Sequence, residues 1–441
     1  MERMEKTNGK RRSGGQKRIR AAGLGCLLTA LCVAAGCAGR GHAVKLSRST
    51  VELTADDREA GNVGGGTDAA EGEEFQASYL NFSLELLRQS RSGQNVMVSP
   101  ASVLLALEMT RCGADGETLS QMNETLYPGI TPEQGREGAM ALHAVLNGDT
   151  GVPDQVLTAA DSVWIHTEDT FVPDENFLRT VAADYDAQIY GAPFDETTRS
   201  DINRWVEAKT NGQIRDILSE ISRDAKVYLI NAVSFDGEWE EPYKTSQVND
   251  AVFRGANGSE TTVSMMYSSE SRYLSGDGVQ GFVKPYKNGV SFVALLPDEG
   301  ISLEEFLAGL DGETFLELLS DVEETEVETG LPKFENTMKI ELADILSGMG
   351  MPEAFSEYNA DFTGMGYCTD GRNLFISKVL HQTHICVDEQ GTKAAAATVV
   401  ETDAGGAAIM GETVILNRPF LYAIVENESG LPVFLGTVEL L

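Results

Sequence analysis

The feature that most restricts the fold of this chain is an alternating, alanine-rich segment near the C-terminus, residues 389–403. All of its charged residues occupy odd-numbered positions, whereas the even-numbered positions from residue 392 are small and uncharged. A period of two is typical of a strand with one buried face. Runs of alanine nevertheless favour helix, and the segment continues into Ala404-Gly-Gly-Ala-Ala408, a sequence typical of a loop. We interpret the segment as a candidate switch between loop and strand; on the pattern alone, an alanine-rich surface linker is an equal alternative.

The length and charge of the chain limit its class and its partners. With 441 residues it can bury a large core, in one large domain or two smaller ones. The hydrophobic fraction of 42% and the charged fraction of 23% are ordinary for globular proteins. The net charge of −34 is not ordinary, and it argues against nucleic acid and anionic membrane surfaces as binding partners. An acidic surface on a secreted protein can also serve solubility alone.

The N-terminus has the pattern of a targeting segment. A basic stretch that includes Lys10-Arg-Arg12 precedes an apolar stretch, residues 24–35, that is too short to span a membrane. The sequence Ala34-Ala-Gly-Cys37 then resembles the cleavage site of bacterial lipoproteins. That resemblance implies removal of residues 1–36, a lipid on the Cys37 sulfur and an extracellular protein anchored to the bacterial membrane surface.

The chain after Cys37 is predicted to begin as a tether. Residues 37–74 include a Gly-rich, acidic stretch without a periodic apolar face, and such a composition does not bury enough surface to fold. Apolar residues at helical spacing start at Phe75, so the folded domain is expected to cover residues 75–441.

Cysteine and histidine are sparse. Cys112, Cys368 and Cys386 are the cysteines that follow Cys37, and their wide spacing suggests no metal site. We expect buried free thiols, with one disulfide as the alternative. No cofactor or metal is expected.

The apolar patterns alternate between helix and strand, with helices concentrated early and strands late. Ser99 and Pro100 are predicted to start a buried helix as its N-cap and first helical residue. Residues 227–235 form a long apolar run that predicts a strand in the centre of a sheet. Residues 420–425 and 433–438 predict a terminal hairpin. The predicted class is α+β with large sheets.

An ordered set of short motifs between residues 75 and 441 resembles the serpins. Each motif is weak alone, but together they follow the family order: Asn95 to Pro100, Asn231-Ala232 with Phe235, Gly237 and Trp239, Leu296-Pro-Asp298, Leu331-Pro-Lys-Phe334, Ala360-Asp-Phe362, Glu389-Gln-Gly-Thr392 and Asn417-Arg-Pro-Phe-Leu421. The resemblance implies three β-sheets, eight to nine helices and an exposed reactive-centre loop. It also implies a monomeric inhibitor whose loop is cleaved by a protease and then inserted into the largest sheet.

The resemblance assigns roles to residues of the alternating segment. The loop hinge would comprise Glu389, Gln390, Gly391, Thr392, Lys393, Ala394, Ala395, Ala396, Ala397 and Thr398. Burying an unpaired charge during insertion would cost several kcal/mol, so the uncharged even-numbered positions indicate a hinge that is able to insert. Thr392 is expected to be the first residue to enter the sheet, and Lys393 to face outward.

The resemblance also suggests where the sheet would part. Ser99, Ser102, Asn231 and His381 match the opening region, and Trp239 matches the site where the loop first enters. The alternative is that the polar residues are ordinary buried hydrogen-bonding groups and that Trp239 is an ordinary core residue.

The family spacing counted from Glu389 puts the scissile bond at Gly405-Gly406, within a possible range of 404–410. This range contains no Lys, Arg or aromatic residue, so it suits neither a trypsin-like nor a chymotrypsin-like pocket. Small side chains suit the shallow pocket of an elastase-like or subtilisin-like serine protease.

Two rival functions remain from the sequence. A hydrolase would need a catalytic base, and the chain has only five histidines and no Gly-x-Ser-x-Gly motif. A non-inhibitory serpin that acts as a surface binding module is the second rival, although such proteins usually have a disrupted hinge. The intact hinge favours an inhibitor, which is not an enzyme.

Overall fold

The structure is a computed structural model that describes residues 44–53, 72–146, 157–167, 171–185, 188–210, 212–222, 225–287, 289–392 and 411–441. Within these ranges the chain forms nine α-helices and three sheets of eight, nine and two strands. No helix in them is long and apolar enough to cross a membrane, and no three acidic, His or Cys side chains are grouped to hold a metal ion.

The helices lie mainly in the first half of the chain. They are α1 Glu73–Ser90, α2 Pro100–Arg111, α3 Gly116–Leu126, α4 Pro132–Leu146, α5 Glu175–Tyr185, α6 Glu196–Lys209, α7 Leu303–Gly309, α8 Gly312–Ser320 and α9 Ala343–Met349.

The strands occur along the whole chain and become dense after residue 227. The first ten are β1 Val51–Glu52, β2 Val96–Val98, β3 Leu157–His166, β4 Phe171–Pro173, β5 Gln188–Ala192, β6 Val227–Phe235, β7 Gly237–Glu238, β8 Val248–Arg254, β9 Glu260–Gly276 and β10 Val279–Pro285. The others are β11 Val290–Pro297, β12 Glu323–Pro332, β13 Phe334–Glu341, β14 Gly366–Cys368, β15 Ile376–Val387, β16 Gly391–Thr392, β17 Glu412–Ile415, β18 Phe420–Glu426 and β19 Pro432–Val438.

The eight-stranded sheet has the order β1-β5-β3-β6-β15-β16-β7, with β13 paired to β15. Strand β6 lies in its interior, as its apolar sequence predicted: it pairs with β3 antiparallel on one side and with β15 parallel on the other. The β6–β15 pair runs from Val227 opposite Ile376 to Ser234 opposite His384.

The nine-stranded sheet has the order β17-β12-β9-β10-β11-β18-β19-β2, with β8 paired to β9. The predicted C-terminal hairpin is confirmed, because β18 and β19 pair antiparallel. Its turn contains Gly430 at a φ of +67°, in the left-handed region that glycine adopts without strain. The third sheet is a pair of short strands, β4 and β14.

Helix α2 packs against β3 and β6 of the eight-stranded sheet and against β19. It starts as predicted: Ser99 is the N-cap, its hydroxyl accepts a hydrogen bond from Ser102 N, and Pro100 is the first helical residue. All residues from Pro100 to Thr110 are buried, which agrees with its apolar sequence.

The helices and sheets described above confirm the predicted α+β class and the expected number of helices.

Two parts of the sequence interpretation differ from the structure. Residues 44–53, assigned to the tether, lie on the folded domain: β1 pairs with β5, and Thr50 Oγ1 donates to the buried Asp201 carboxylate at 2.7 Å. This part of the chain packs on the domain because the edge of β5 offers backbone pairing and Asp201 offers a polar partner. The three cysteines that follow Cys37 are free thiols, as expected, but each is only partly buried.

Helix α2 also carries a fully buried carboxylate, Glu108. Arg111 binds it through two nitrogens at 2.5 and 2.6 Å, and the hydroxyls of Tyr127 and Tyr185 donate to it at 2.6 and 3.1 Å. A buried charge with this many partners is well compensated, but each partner depends on it.

We predict that Glu108→Ala lowers the free energy of unfolding by about 3–5 kcal/mol, because it leaves the Arg111 charge buried without its partner. Denaturant unfolding measures the loss. The matched control is Glu124→Ala on α3, an exposed position where the change should stay within about 0.5 kcal/mol. Equal effects of the two substitutions would contradict the assigned role of Glu108.

Candidate functional site

The hinge of the alternating segment begins inside the eight-stranded sheet. Strand β16 pairs antiparallel with β15, Val387 opposite Thr392, and antiparallel with β7, where Gly391 lies opposite Glu238. Strand β7 starts two residues after the end of β6. At this end of the sheet, β16 therefore separates β15 from the continuation of β6, whereas the two strands are direct neighbours along the rest of their length.

A tight turn brings the chain from β15 into β16. Asp388 Oδ1 accepts from Gln390 N at 2.8 Å, and Asp388 N donates to Gly391 O at 2.9 Å. Gly391 has a φ of +147°, and a Cβ at this position would lie 2.0 Å from Gly237 O. Glycine is therefore required at residue 391 both for the backbone conformation and for the close approach of β7.

Thr392 is already part of the sheet. Its side chain is fully buried, and its hydroxyl forms a 2.6 Å hydrogen bond with Tyr286 OH. Thr392 was expected to be the first residue to enter the sheet, and the structure places it there in the uncleaved chain. The sequence pattern could not reveal this, because the position depends on pairing with β7, a strand more than 150 residues earlier in the chain.

Trp239 lies where the hinge starts, as the sequence analysis expected. Its backbone N donates to Gln390 O and its indole Nε1 donates to Asp388 O, both at 2.9 Å. The fully buried indole also stacks on Tyr286, with 4.1 Å between ring centroids. Trp239 is thus both a core residue and a direct partner of the hinge backbone, so the two interpretations hold together.

An ion pair that the sequence analysis did not single out holds the first hinge residue. Lys333 Nζ lies 2.7 Å from Glu389 Oε2. Partial burial raises the pKa of Glu389 and is the largest single influence on it, but the Lys333 hydrogen bond, a backbone hydrogen bond and the Lys333 charge together outweigh burial, so the pKa lies below its ordinary value. Because both side chains are partly exposed, the pair contributes at most about 1 kcal/mol to stability. The sequence feature that pointed to this ion pair was the position of Lys333 in the Leu331-Pro-Lys-Phe334 motif.

Farther along the sheet, the four predicted opening residues do meet. Ser99 N donates to His381 Nε2 at 3.0 Å, His381 Nδ1 hydrogen-bonds with Asn231 Oδ1, and Asn231 Nδ2 hydrogen-bonds with Ser102 Oγ. All four residues are buried. The alternative that they are ordinary buried, hydrogen-bonded groups describes their bonding correctly, yet the cluster crosses the β6–β15 boundary, because Asn231 and His381 lie opposite each other.

The protonation of His381 follows from its partners. Its Nε2 accepts from a backbone N–H, so the proton of the neutral ring lies on Nδ1 and is donated to Asn231. Burial lowers the pKa of His381 to about 3. The imidazole is therefore neutral at physiological pH and links α2, β15 and β6 without a charge.

Asp161 on β3 is a further member of this cluster that the sequence analysis missed. Its Oδ1 accepts from Ser102 Oγ at 2.8 Å and from Asn231 Nδ2 at 2.7 Å. The signal was present in the sequence: Asp161 shares the period-two face of Val163 and Ile165, both fully buried core residues. A carboxylate at a core-facing strand position indicates a polar partner, but the partners are 59 and 70 residues away.

The other predicted site residues lie outside the described residues. They are the hinge residues Lys393, Ala394, Ala395, Ala396, Ala397 and Thr398, the reactive bond Gly405 and Gly406, and the anchor Cys37. The segment between 392 and 411 starts from β16 in the eight-stranded sheet and ends at β17, which pairs parallel with β12 of the nine-stranded sheet.

Comparison with known proteins agrees with this geometry. Residues 77–440 match the family Serpin (serine protease inhibitor). Leukocyte elastase inhibitor A of Mus musculus is 31% identical over 392 residues, covering 83% of this chain and 99% of the relative. The thermophilic serpin Tengpin in its native state superimposes with a TM-score of 0.77 at 42% identity, covering 83% of this chain and 94% of Tengpin.

Tengpin in its latent state gives a lower TM-score of 0.70, at 38% identity and with 83% and 98% of the two chains covered. The described residues are thus more similar to the native state than to the latent state of that protein. The family match spans most of the chain and includes the hinge, the opening cluster and both large sheets. The chain therefore belongs to the serpin family of serine protease inhibitors.

Proposed function

We propose that this protein inhibits a serine protease as a suicide substrate, by inserting its cleaved loop between β6 and β15. Serpin loop insertion is a recognised case of strand addition coupled to the release of stored strain. The observation that carries the proposal for this chain is the position of β16, which contains the hinge residues Gly391 and Thr392, between β15 and β7.

The pairing of the strands supports insertion at this boundary. Strands β6 and β15 are parallel, whereas β16 is antiparallel to both β15 and β7. If β16 continued toward Asn231 and His381, it would replace one parallel pair with two antiparallel pairs. Antiparallel pairs are slightly more stable per residue, and the sheet would gain a strand. Insertion is therefore favourable once the loop is free at one end.

The orientation of Thr392 supports the same proposal through the side chains. Because Thr392 faces the buried side of the sheet, later residues at the same period would face it too if the strand continued. The even-numbered positions contain no charged residue, and each side chain is small: Ala394, Ala396, Thr398, Val400 and Thr402. The charged residues that follow, Lys393, Glu401 and Asp403, would face the solvent.

The proposed chemistry is an interrupted peptide hydrolysis. The serine hydroxyl of the protease attacks the Gly405 carbonyl, the Gly405–Gly406 bond breaks, and the Gly406 amine leaves with a proton. The resulting ester joins Gly405 to the protease. Insertion of residues 393–405 then pulls the ester and the protease along the sheet before water completes the reaction.

The loop sequence supports an elastase-like or subtilisin-like target. Residues 404–410 offer glycine, alanine, isoleucine and methionine, and no cation or aromatic ring for a deep pocket. The name of the mouse relative, leukocyte elastase inhibitor A, is consistent with such a target.

The first prediction from the proposed function concerns the target class. We expect an SDS-stable complex with an elastase-like or subtilisin-like protease, formed on the order of 100-fold faster than any complex with trypsin. Assays of complex formation stopped at timed intervals give the rates. Mass spectrometry of the released C-terminal fragment locates the cleaved bond. Cleavage outside residues 404–410 or fast inhibition of trypsin would refute the assigned bond. Cleavage without a stable complex would favour a non-inhibitory serpin.

The second prediction uses two neighbouring alanines on opposite faces of the proposed strand. Ala396→Arg places a charge on the face that becomes buried, so insertion slows and most molecules should be cleaved as substrate, because the buried charge would cost several kcal/mol. Ala397→Arg is the matched control, because its side chain would face solvent. The measurement is the partition between stable complex and cleaved protein.

Equal partition in these two variants would contradict insertion with the proposed face buried. Thr392→Arg is a poorer test, because Thr392 is buried before any cleavage. A charge there would destabilise the uncleaved protein as well as slow the insertion.

We further propose that the mature protein is a bacterial surface lipoprotein attached through Cys37. The support is the Ala34-Ala-Gly-Cys37 sequence after an apolar stretch, followed by the acidic, Gly-rich segment that ends near residue 72. The third prediction is that cells fed a labelled fatty acid incorporate the label into the wild-type protein and not into Cys37→Ser. Cys112→Ser is the control and should retain the label. An unlabelled, freely secreted wild-type protein would overturn this proposal.

A further inference from the structure

Three strands of the eight-stranded sheet are joined side by side at one level. Asp161 on β3 lies opposite Asn231 on β6, and Asn231 lies opposite His381 on β15. The β3–β6 boundary stays closed in the proposed insertion, whereas the β6–β15 boundary must open. The same asparagine side chain bonds across both boundaries, to Asp161 on one side and to His381 on the other.

The hydrogen bonds of this row run in one direction. Asp161 is an acceptor when ionised, so the Asn231 amide must turn its NH₂ group toward Asp161 and its Oδ1 toward His381. Asn231 Oδ1 in turn requires the proton of His381 on Nδ1, which leaves Nε2 free to accept from Ser99 N. The orientation of every member therefore follows from the carboxylate at the end of the row.

We propose that Asp161 is a positioning residue for sheet opening, which sets how easily β6 and β15 separate and makes that separation depend on pH. This inference rests on the proposed function, because separation of these strands matters only if the loop inserts between them. Asp161 acts through Asn231 and Ser102, the two side chains that it binds.

The groups that face Asp161 are few. Helix α2 contributes the Ser102 hydroxyl, β6 contributes the Asn231 amide, and β15 contributes the neutral imidazole of His381 beyond Asn231. The charged residues farther along α2, Glu108 and Arg111, are paired with each other. Within the described part of the chain no cation is paired with Asp161.

The surroundings of Asp161 Oδ1 differ from those of the residue as a whole. The residue as a whole reaches solvent to some extent, but Oδ1 bonds to two buried side chains, and it is this local environment that governs ionisation. Burial raises the pKa of Asp161 to about 7, and the hydrogen bonds from Ser102 and Asn231 offset only part of that effect. The closed sheet therefore binds the Asp161 proton more tightly than an ordinary aspartate would.

The sign of the pH effect follows. When β6 and β15 part and water enters, the pKa of Asp161 falls toward its ordinary value of about 4, so the opened sheet releases the proton. Through Asp161, opening becomes easier as pH rises toward 7 and changes little above that. His381 acts in the opposite sense, because its low pKa in the closed sheet rises toward about 6.5 on opening, so acid favours opening through it.

The test compares the intact mature protein with Asp161→Asn, so that the His381 effect cancels in the ratio of their rates. An asparagine keeps an Oδ1 that can accept from Ser102 and Asn231, but it has no ionisation. The readout is the rate at which a synthetic peptide with the sequence of residues 392–403 is incorporated into the uncleaved protein between pH 5.5 and 8.5. This rate reports opening without any protease.

We expect the ratio of the wild-type rate to the Asp161→Asn rate to rise several-fold from pH 5.5 to 7, within a ceiling of about tenfold per pH unit, and to level off above pH 7. The exposed Asp250→Asn should follow the wild-type profile at every pH. A ratio that is independent of pH overturns the inference, since a merely structural role would change the rate equally at all pH values.

A second variant keeps the test decisive if Asp161→Asn does not fold. Ser102→Ala removes one hydrogen bond that lowers the pKa of Asp161, so the inflection of the pH profile should move to higher pH. An inflection that does not move overturns the inference. Wild-type protein that traps protease but has a flat profile refutes the role of Asp161 alone, whereas absence of both peptide incorporation and protease trapping refutes the proposed function as well.

Discussion

The structure depends on the parallel pairing of β6 and β15. These two strands are the centre of the eight-stranded sheet, and the polar cluster beneath them is anchored on the N-terminus of α2. If the loop inserts as proposed, the pairing must be firm enough to keep the uncleaved protein closed and weak enough to yield to a new strand. The side-chain hydrogen bond between Asn231 and His381 suits that requirement. It strengthens the β6–β15 pairing at one register position, and backbone pairing joins the two strands along the rest of their length.

The hinge end of the sheet shows how opening can begin at a defined place. Strand β16 already separates β15 from β7, and Trp239 and Gly391 hold its turn against the neighbouring backbone. A new strand added here extends an existing one, so it needs no separate nucleation. The side chain of Thr392 also decides which face of the extension is buried, since side chains alternate along a strand.

The buried polar groups carry a cost that apolar residues would avoid. A carboxylate, an imidazole and an amide in the interior contribute little net stability, and each depends on its partners being in place. Their directional bonds instead favour one arrangement of α2, β3, β6 and β15. If the sheet opens as proposed, these groups would have to bind water or new partners, which would favour a transition between two ordered states over gradual loosening.

Local patterns in the sequence determined much of this protein: the start of α2 at Ser99 and Pro100, the central strand at residues 227–235 and the terminal hairpin. These depend on capping, apolar runs and alternation, which act over a few residues. Only the tertiary structure decided that Thr392 is already buried, that residues 44–53 pack on the domain, and that Asp161 completes the row with Asn231 and His381. Each of these depends on strand register between distant segments, and the pairing of such segments follows from the packing of the whole chain.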